Sequence, residues 1–332
     1  MRLATYNVEW FDKLFDDDGA LLDDGGWSGR HDVTRADQIA ALGRVFQAVD
    51  ADAIAIIEAP DDGRHRSSVR ALEAFAARFQ LRQRAAFIGF RNTTQQEIAL
   101  LYDPDVVRAR HDPRESAFAP RFDSELAIDL DIDARGDAVE WSKPPFEVAL
   151  EVGGYDLRLI AVHAKSKAPF GATTPEEVMR ISIANRRKQL AQCIWLRRRV
   201  EEHLRAGEAL LVVGDFNDGP GLDEYEKLFG RSGVEIVLGE AGEECLFDPH
   251  AAQALTMRFA GPTTSRFWLP HEGRYLQALL DYIMVSPDLR ALEPHWRIWH
   301  PFDDAACFRD AELREALLAA SDHFPVSVDL PL

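Results

Sequence analysis

Side chains that can hold a metal or move a proton recur along this chain, and each stands at the edge of a short apolar run. Ala4-Thr-Tyr-Asn7-Val-Glu9-Trp10 lies near the start of the sequence, and Ser321-Asp322-His323-Phe-Pro-Val-Ser-Val328 near its end. Between them, Ala53-Ile-Ala-Ile-Ile-Glu58 ends in one carboxylate, and Leu159-Ile-Ala-Val-His163 ends in an imidazole followed by Lys165, Ser166 and Lys167. Leu210-Leu-Val-Val-Gly-Asp215-Phe-Asn217-Asp218 runs into a Gly and a carboxylate and carboxamide pair, while Leu279-Leu-Asp281-Tyr-Ile-Met-Val285 carries an acid near its start. Apolar runs of this length read as strands that are half or wholly buried, and a polar group buried in one must find a partner. Brought together by folding, these strand ends make one site with metal-binding and acid/base capacity.

The elements that must position them are strands and helices in rough alternation. Thr34 to Ala48 reads as a helix, with Thr34 as N-cap and Ile39, Leu42, Val45 and Phe46 on one face. Ser67 to Phe79 and Pro175 to Leu204 read as further helices, with Arg197 to Arg199 on a solvated face of the second. Glu97 to Tyr102, Glu147 to Leu150 and Asp156 to Val162 are strand candidates, and Asp16 to Arg30, rich in Asp and Gly, is a loop. Alternation of this kind makes an α/β protein.

A chain of 332 residues with 46% hydrophobic content buries a large core, and its length allows one to three domains. The motifs decide for one domain over residues 1–332, because a cut would leave neither half with a complete constellation. No apolar run is long enough to span a bilayer, and the first motif strand leaves no room for a signal peptide. Cys193, Cys245 and Cys307 are too few and scattered for a disulfide framework or a zinc site, and read as buried or idle thiols in a reducing cytoplasm. The net charge of −18 repels polyanions on average. Its distribution is uneven: between His163 and Arg205 there are ten Lys and Arg against four Asp and Glu.

The order Asn, Glu, His, Gly-Asp-x-Asn, Asp and Ser-Asp-His, from Asn7 to His323, resembles that of the endonuclease/exonuclease/phosphatase superfamily, the DNase I-like fold. Gly-Asp-x-Asn alone occurs in many loops; all six fragments in order make the resemblance specific, and it covers nearly the whole chain. It implies a four-layer α/β sandwich of two packed mixed sheets flanked by helices. It also implies a metal site at Glu58, with Asn7 and Glu9 and joined by Asp322, an oxygen-only set suited to Mg²⁺ or Mn²⁺ rather than zinc. Asp215 would align or deprotonate water, and Asn217 would donate to a phosphoryl oxygen and help hold the Asp. His163 and His323 would hydrogen-bond the phosphoryl oxygens, with His323 oriented by Asp281. Two departures bear on this. Ile57 stands where many relatives place Gln before the metal Glu, which puts the hydrogen bonds around Glu58 in question. His163 stands where abasic-site endonucleases carry Tyr, which argues against that specialised repair role.

Substrate choice must come from the rims. Pro262 to Gln277 mixes Arg266, Phe267, Trp268, His271, Arg274 and Tyr275 just before Asp281, suited either to base stacking with phosphate contact or, for the aromatics, to filling core. The second rim is the basic stretch with Lys165, Lys167, Arg186 and Arg187. Together these features indicate a metal-dependent phosphodiesterase acting on nucleic acid. The enzyme alternative is a phosphatase or phosphodiesterase for a small or lipid-linked phosphate ester. A binding protein that had merely kept the fold would be expected to lose Glu58, Asp215 or His323, and all three are present.

Overall fold

The computed structural model describes residues 1–128, 137–220, 230–240, 245–256, 261–269 and 273–332. Among them the strands are β1 (Arg2–Asn7), β2 (Ala53–Pro60), β3 (Ala85–Ile88), β4 (Gln96–Tyr102), β5 (Val107–His111), β6 (Glu125–Ile128), β7 (Asp137–Glu140), β8 (Phe146–Val152), β9 (Tyr155–His163), β10 (Leu210–Asp215), β11 (Ser265–Leu269), β12 (Arg274–Ala278), β13 (Asp281–Val285), β14 (His295–Ile298) and β15 (Val326–Asp329). The helices are α1 (Arg35–Val49), α2 (Ser68–Arg78), α3 (Pro175–Arg205), α4 (Gly233–Leu238), α5 (Pro249–Thr256), α6 (Pro287–Arg290), α7 (Ala305–Arg309) and α8 (Ala311–Ala320).

Two mixed sheets form the centre. One runs β14-β15-β1-β2-β4-β3, with β1 and β2 parallel; the other runs β13-β10-β9-β8-β5, with β9 and β10 parallel. Period-2 alternation sends Leu3, Ala55 and Ile57 of the first sheet against Val148, Leu159, Val213 and Ile283 of the second, in a core shared by both. The opposite faces are covered by helices. Tyr6 and Ile54 meet Phe46 of α1, Phe75 of α2 and Leu317 of α8; Val162 and Val212 meet Trp195 of α3 and Val237 of α4. The layers are therefore helix, sheet, sheet, helix, the four-layer α/β sandwich expected. Each large apolar side chain buried in these layers contributes about 1.5–3 kcal/mol relative to exposure.

Local signals act as expected at α1, where the Thr34 side chain accepts from Asp37 N and Ile39, Leu42, Val45 and Phe46 are all buried. At α3, Thr174 and Glu177 form a capping box with Pro175 at the first turn. The solvated face assigned to Arg197–Arg199 needs correction. Arg199 is 2% exposed and ion-paired at 3.1 Å with Glu147, itself 1% exposed on β8, so the charge run reaches into the sheet. Among the described residues no helix is long and apolar enough to cross a membrane.

Candidate active site

Strand register delivers most of the site to one edge of the two sheets. Asn7 ends β1, with Ile57 beside it on β2; His163 and Asp215 end the parallel strands β9 and β10, in register with each other; Asp281 begins antiparallel β13, opposite Asp215. Gly214 makes this pairing possible. Its φ of 124° is open only to glycine, and a Cβ there would lie 2.1 Å from Val162 O. Glu58 is turned out of its strand by a bulge between Ile57 and Ala59, where its backbone takes the left-handed value φ 63°. The two chain-end motifs are joined by Ser321, whose Oγ donates to Asn7 O at 2.8 Å and accepts from Glu9 N at 3.2 Å and His323 N at 3.1 Å.

Asp215 occupies the centre and is 1% exposed. Its Oδ2 accepts from Asn7 Nδ2 at 3.0 Å and Asn217 Nδ2 at 3.1 Å, and its Oδ1 from Asn217 N at 2.7 Å. His163 Nε2 lies 3.7 Å and His323 Nε2 4.0 Å from Oδ2. Burial pushes this carboxyl well above the usual carboxylate range. Burial likewise holds His163 far below the usual imidazole range, with Lys143 and His323 adding to the effect. The Lys143 ammonium donates to His163 Nδ1 at 3.0 Å, so the ring hydrogen sits on Nε2 and points between Glu58 and Asp215. For His323, burial opposes the charge, but Asp281 at 2.7 Å from Nδ1, with Asp215 and Asp322 nearby, raises its pKa well above normal. One imidazole is neutral and the other charged.

Glu58 Oε2 accepts from Gln96 Nε2 at 2.5 Å, while Oε1 lies 3.7 Å from His163 Nε2 and 4.0 Å from Lys143 Nζ. Burial raises the Glu58 carboxyl, as it does that of Asp322. Glu9 stands at the margin: Arg30 pairs with its Oε2 and Trp10 Nε1 donates to its Oε1 at 2.9 Å, so both its oxygens are engaged. Among the described residues, Asn7 Oδ1 and Asp281 Oδ1 are buried with no hydrogen-bond partner. The atoms of Asp215, Asp281 and His323 lie within 4.8 Å of one another. Unsatisfied hard oxygens among crowded buried acids fit a small divalent cation.

The chain belongs to the endonuclease/exonuclease/phosphatase family. That family's profile matches residues 4–323, and its chemistry makes the protein a hydrolase of phosphoester bonds. Among solved structures the chain is similar to TDP2 from Caenorhabditis elegans, with 15% identity, 98% of this chain and 74% of that chain covered, and a TM-score of 0.52. An AP endonuclease from Archaeoglobus fulgidus shares 13% identity with full coverage of both chains and a TM-score of 0.51. TDP2 from D. rerio complexed with single strand DNA product shares 11%, with 99% and 97% covered and a TM-score of 0.50. At these identities the likeness is one of fold. No curated protein matches the chain.

Of the residues expected on the rims, the β11–β12 hairpin lies beside the family motif at the chain end: Ser265 pairs with His323, Arg266 N donates to Asp322 O at 2.7 Å, and the Phe267 ring packs edge-on to His323. Trp268, 43% exposed, packs on Tyr275 with ring centroids 4.9 Å apart, and the Arg266 guanidinium lies 3.3 Å from the Tyr275 centroid. Arg274 is exposed on β12, and His271 lies outside the described residues. The basic stretch needs correction. Arg186 is 1% exposed and bonded at 2.5 Å to the buried Asp218, and Lys167 holds the same carboxylate at 2.7 Å. A guanidinium so enclosed does not reach a polynucleotide. Lys165 and Arg187 are half-buried.

Lys143 and Gln96 went unseen in the sequence. Lys143 sits in Trp141-Ser-Lys-Pro-Pro, which carries no motif, and Gln96 precedes the strand expected at Glu97. Gln96 pairs with Pro60 across β2 and β4, and so supplies from the adjacent strand an amide beside Glu58 that Ile57 does not.

Proposed function

We propose that this protein is a divalent-metal-dependent phosphodiesterase that hydrolyses nucleic acid, and that residues 1–332 act as one domain, since both sheets contribute to the site. One observation carries the reading: a buried carboxylate, Asp215, is held by two amides between a neutral and a charged imidazole, at 3.7 and 4.0 Å. Asp215 Oδ1 accepts one hydrogen bond, from Asn217 N, which leaves it able to align a water and take its proton as the oxygen attacks phosphorus in line, while the opposite P–O ester bond breaks and its oxygen leaves as the product alcohol with a proton from solvent. His163 Nε2–H and the His323 imidazolium donate to the non-bridging oxygens, and Asp281 keeps the His323 ring in place. Glu58 and Asn7, with Asp322 and Glu9, would hold Mg²⁺ or Mn²⁺, which supplies neutralisation of phosphoryl charge.

The hairpin supports a nucleic-acid substrate. Trp268 and Tyr275 offer exposed faces on which bases stack, each worth about 1–3 kcal/mol, beside Arg266 and Arg274 for phosphate. The similarity to a TDP2 complexed with single strand DNA product agrees with this choice. A small or lipid-linked ester is the second reading. It is favoured by the burial of Arg186 and Arg199 and the net charge of −18, which weaken the case for a long electrostatic track. Screening the purified protein with Mg²⁺ or Mn²⁺ against DNA, RNA, and small mono- and diesters decides between them. Hydrolysis of DNA or RNA above that of the small esters is expected; turnover of monoesters alone would overturn the diesterase reading.

A further inference from the structure

We infer that Gln189 is a positioning residue of the hydrolytic site: from the buried polar face of α3 it clamps the loop that follows Asp215 and carries Asn217 to the loop that follows His163. The inference rests on the reading above, in which Asp215 and Asn217 serve the reaction.

Residues 185, 189 and 192 recur at helical spacing on α3, with Arg186 beside them, and this face points inward. Arg186, Gln189 and Gln192 are 1%, 0% and 2% exposed. A helix face of this composition is costly to bury unless its groups are bonded, and here the bonds go to the two loops that bear the site. Asn185 Nδ2 donates to Ala168 O at 2.9 Å, and Gln192 Oε1 accepts from Lys165 N at 2.9 Å. Gln189 Nε2 lies at the meeting point, within 2.9 Å of Lys165 O, 3.1 Å of Phe216 O and 3.0 Å of Asn217 O. Its Oε1 accepts from Arg186 Nη1 at 2.6 Å, which forbids the flipped amide. The same Arg186 atom pairs with Asp218 Oδ2, and Asp218 also takes Lys167 Nζ and the N–H groups of Gly219 and Gly233.

Asn217 has the left-handed backbone value φ 50°; its N–H donates to Asp215 Oδ1, and its side-chain amide is shared between Asp215 Oδ2 and Ala164 O, each at 3.1 Å, which leaves it no free hydrogen for the phosphoryl oxygen expected from the sequence. The conformation of residue 217 therefore sets the orientation of the Asp215 carboxylate. Gln189 holds that residue's carbonyl from behind and touches nothing that reacts. A misplacement of about 1 Å in a reacting group costs on the order of 100-fold in rate, so loss of this hold should appear in turnover rather than in binding.

The test uses Gln189→Met, which keeps the volume and removes the donors. For a small diester, kcat should fall roughly 10- to 100-fold with KM within about twofold. In an Asn217→Ala background the same substitution should cost less than about threefold, because the residue it acts through is gone. Amide hydrogen exchange over residues 216–219 should accelerate at least about tenfold while residues 210–213 stay protected. Unchanged kcat per folded molecule, an equal loss in both backgrounds, or unchanged exchange in the loop each overturns the inference. The exchange measurement needs no substrate, so the two failures read out separately: wild-type turnover by Asp215→Asn sinks the functional reading, and unchanged loop exchange in Gln189→Met sinks the clamp. Should Gln189→Met not fold, Gln189→Asn, with its amide one methylene short, carries the same measurements.

Discussion

Asp215, at the end of β10, and Asp218, three residues further on, are 1% and 0% exposed, yet they are treated in opposite ways. Asp218 is met by Lys167 at 2.7 Å and Arg186 at 2.5 Å, and by backbone N–H groups besides. Asp215 is bonded by neutral amides, and its nearest basic nitrogens stop at 3.7 and 4.0 Å. Its own proton affinity is raised by burial as a result. A buried acid saturated with cations has nothing left to exchange and belongs to the frame; one left short of cations beside two imidazoles can still accept a proton.

Glu58 falls on the same side of this comparison as Asp215, with the Lys143 ammonium 4.0 Å away and only the neutral His163 ring nearer, at 3.7 Å. The largest effect is therefore expected from Glu58→Ala: metal-stimulated hydrolysis lost at saturating Mg²⁺, with the thermal midpoint in chelator unchanged or higher. Retained turnover, or a chain that no longer folds without metal, would move Glu58 to the frame. Asp215→Asn should lower kcat by at least ~100-fold with little change in KM. A loss confined to KM would make Asp215 a binding residue.

The mirror case is Asp218→Asn, which leaves the buried Arg186 guanidinium facing a neutral amide. Breaking a buried ion pair from one side costs about 3–5 kcal/mol, so the urea midpoint should fall sharply. The comparison would break if stability held and kcat collapsed instead.

How much of this was legible in the sequence divides along the same line. The groups that react end apolar strands, and a lone Glu58 or His163 after a run of aliphatic residues is visible without a structure. So is α1, where Thr34 and the apolar face from Ile39 to Phe46 agree. Arg186, Gln189 and Arg199 were not legible as frame, because a polar helix face looks the same in sequence whether it meets water or two buried loops. The partners decide, and Asp218 lies 32 residues from Arg186. Lys143 and Gln96 were hidden for a related reason: each acts through contacts with strands distant in sequence, and no local period encodes those. The hairpin β11–β12 lay between, since its mixture of aromatics and cations is present in the sequence but its closeness to His323 comes from the Ser265 bridge.

The smallest expected effect concerns what is left of the basic stretch once its arginines are assigned to the frame. Lys165 and Lys188 make no ion pair among the described residues, and burial with each other's proximity holds the Lys165 ammonium below its ordinary pKa. Two like charges so placed, with Lys165 two residues from His163, would be relieved by a phosphate. If they contact a polynucleotide, each releases condensed counterions, and log affinity falls against log salt by about 0.7 to 0.9 per contact. Two contacts give roughly a tenfold loss over a fourfold rise in salt. The double variant Lys165→Ala, Lys188→Ala should flatten that slope by about 1.5 and leave kcat/KM for a small diester within about twofold, since a small ester carries no such counterion atmosphere. Equal damage to both substrates would place the lysines in the catalytic centre with Lys143. An unchanged salt slope would show that no extended backbone crosses this edge, and would transfer the substrate assignment to the small ester.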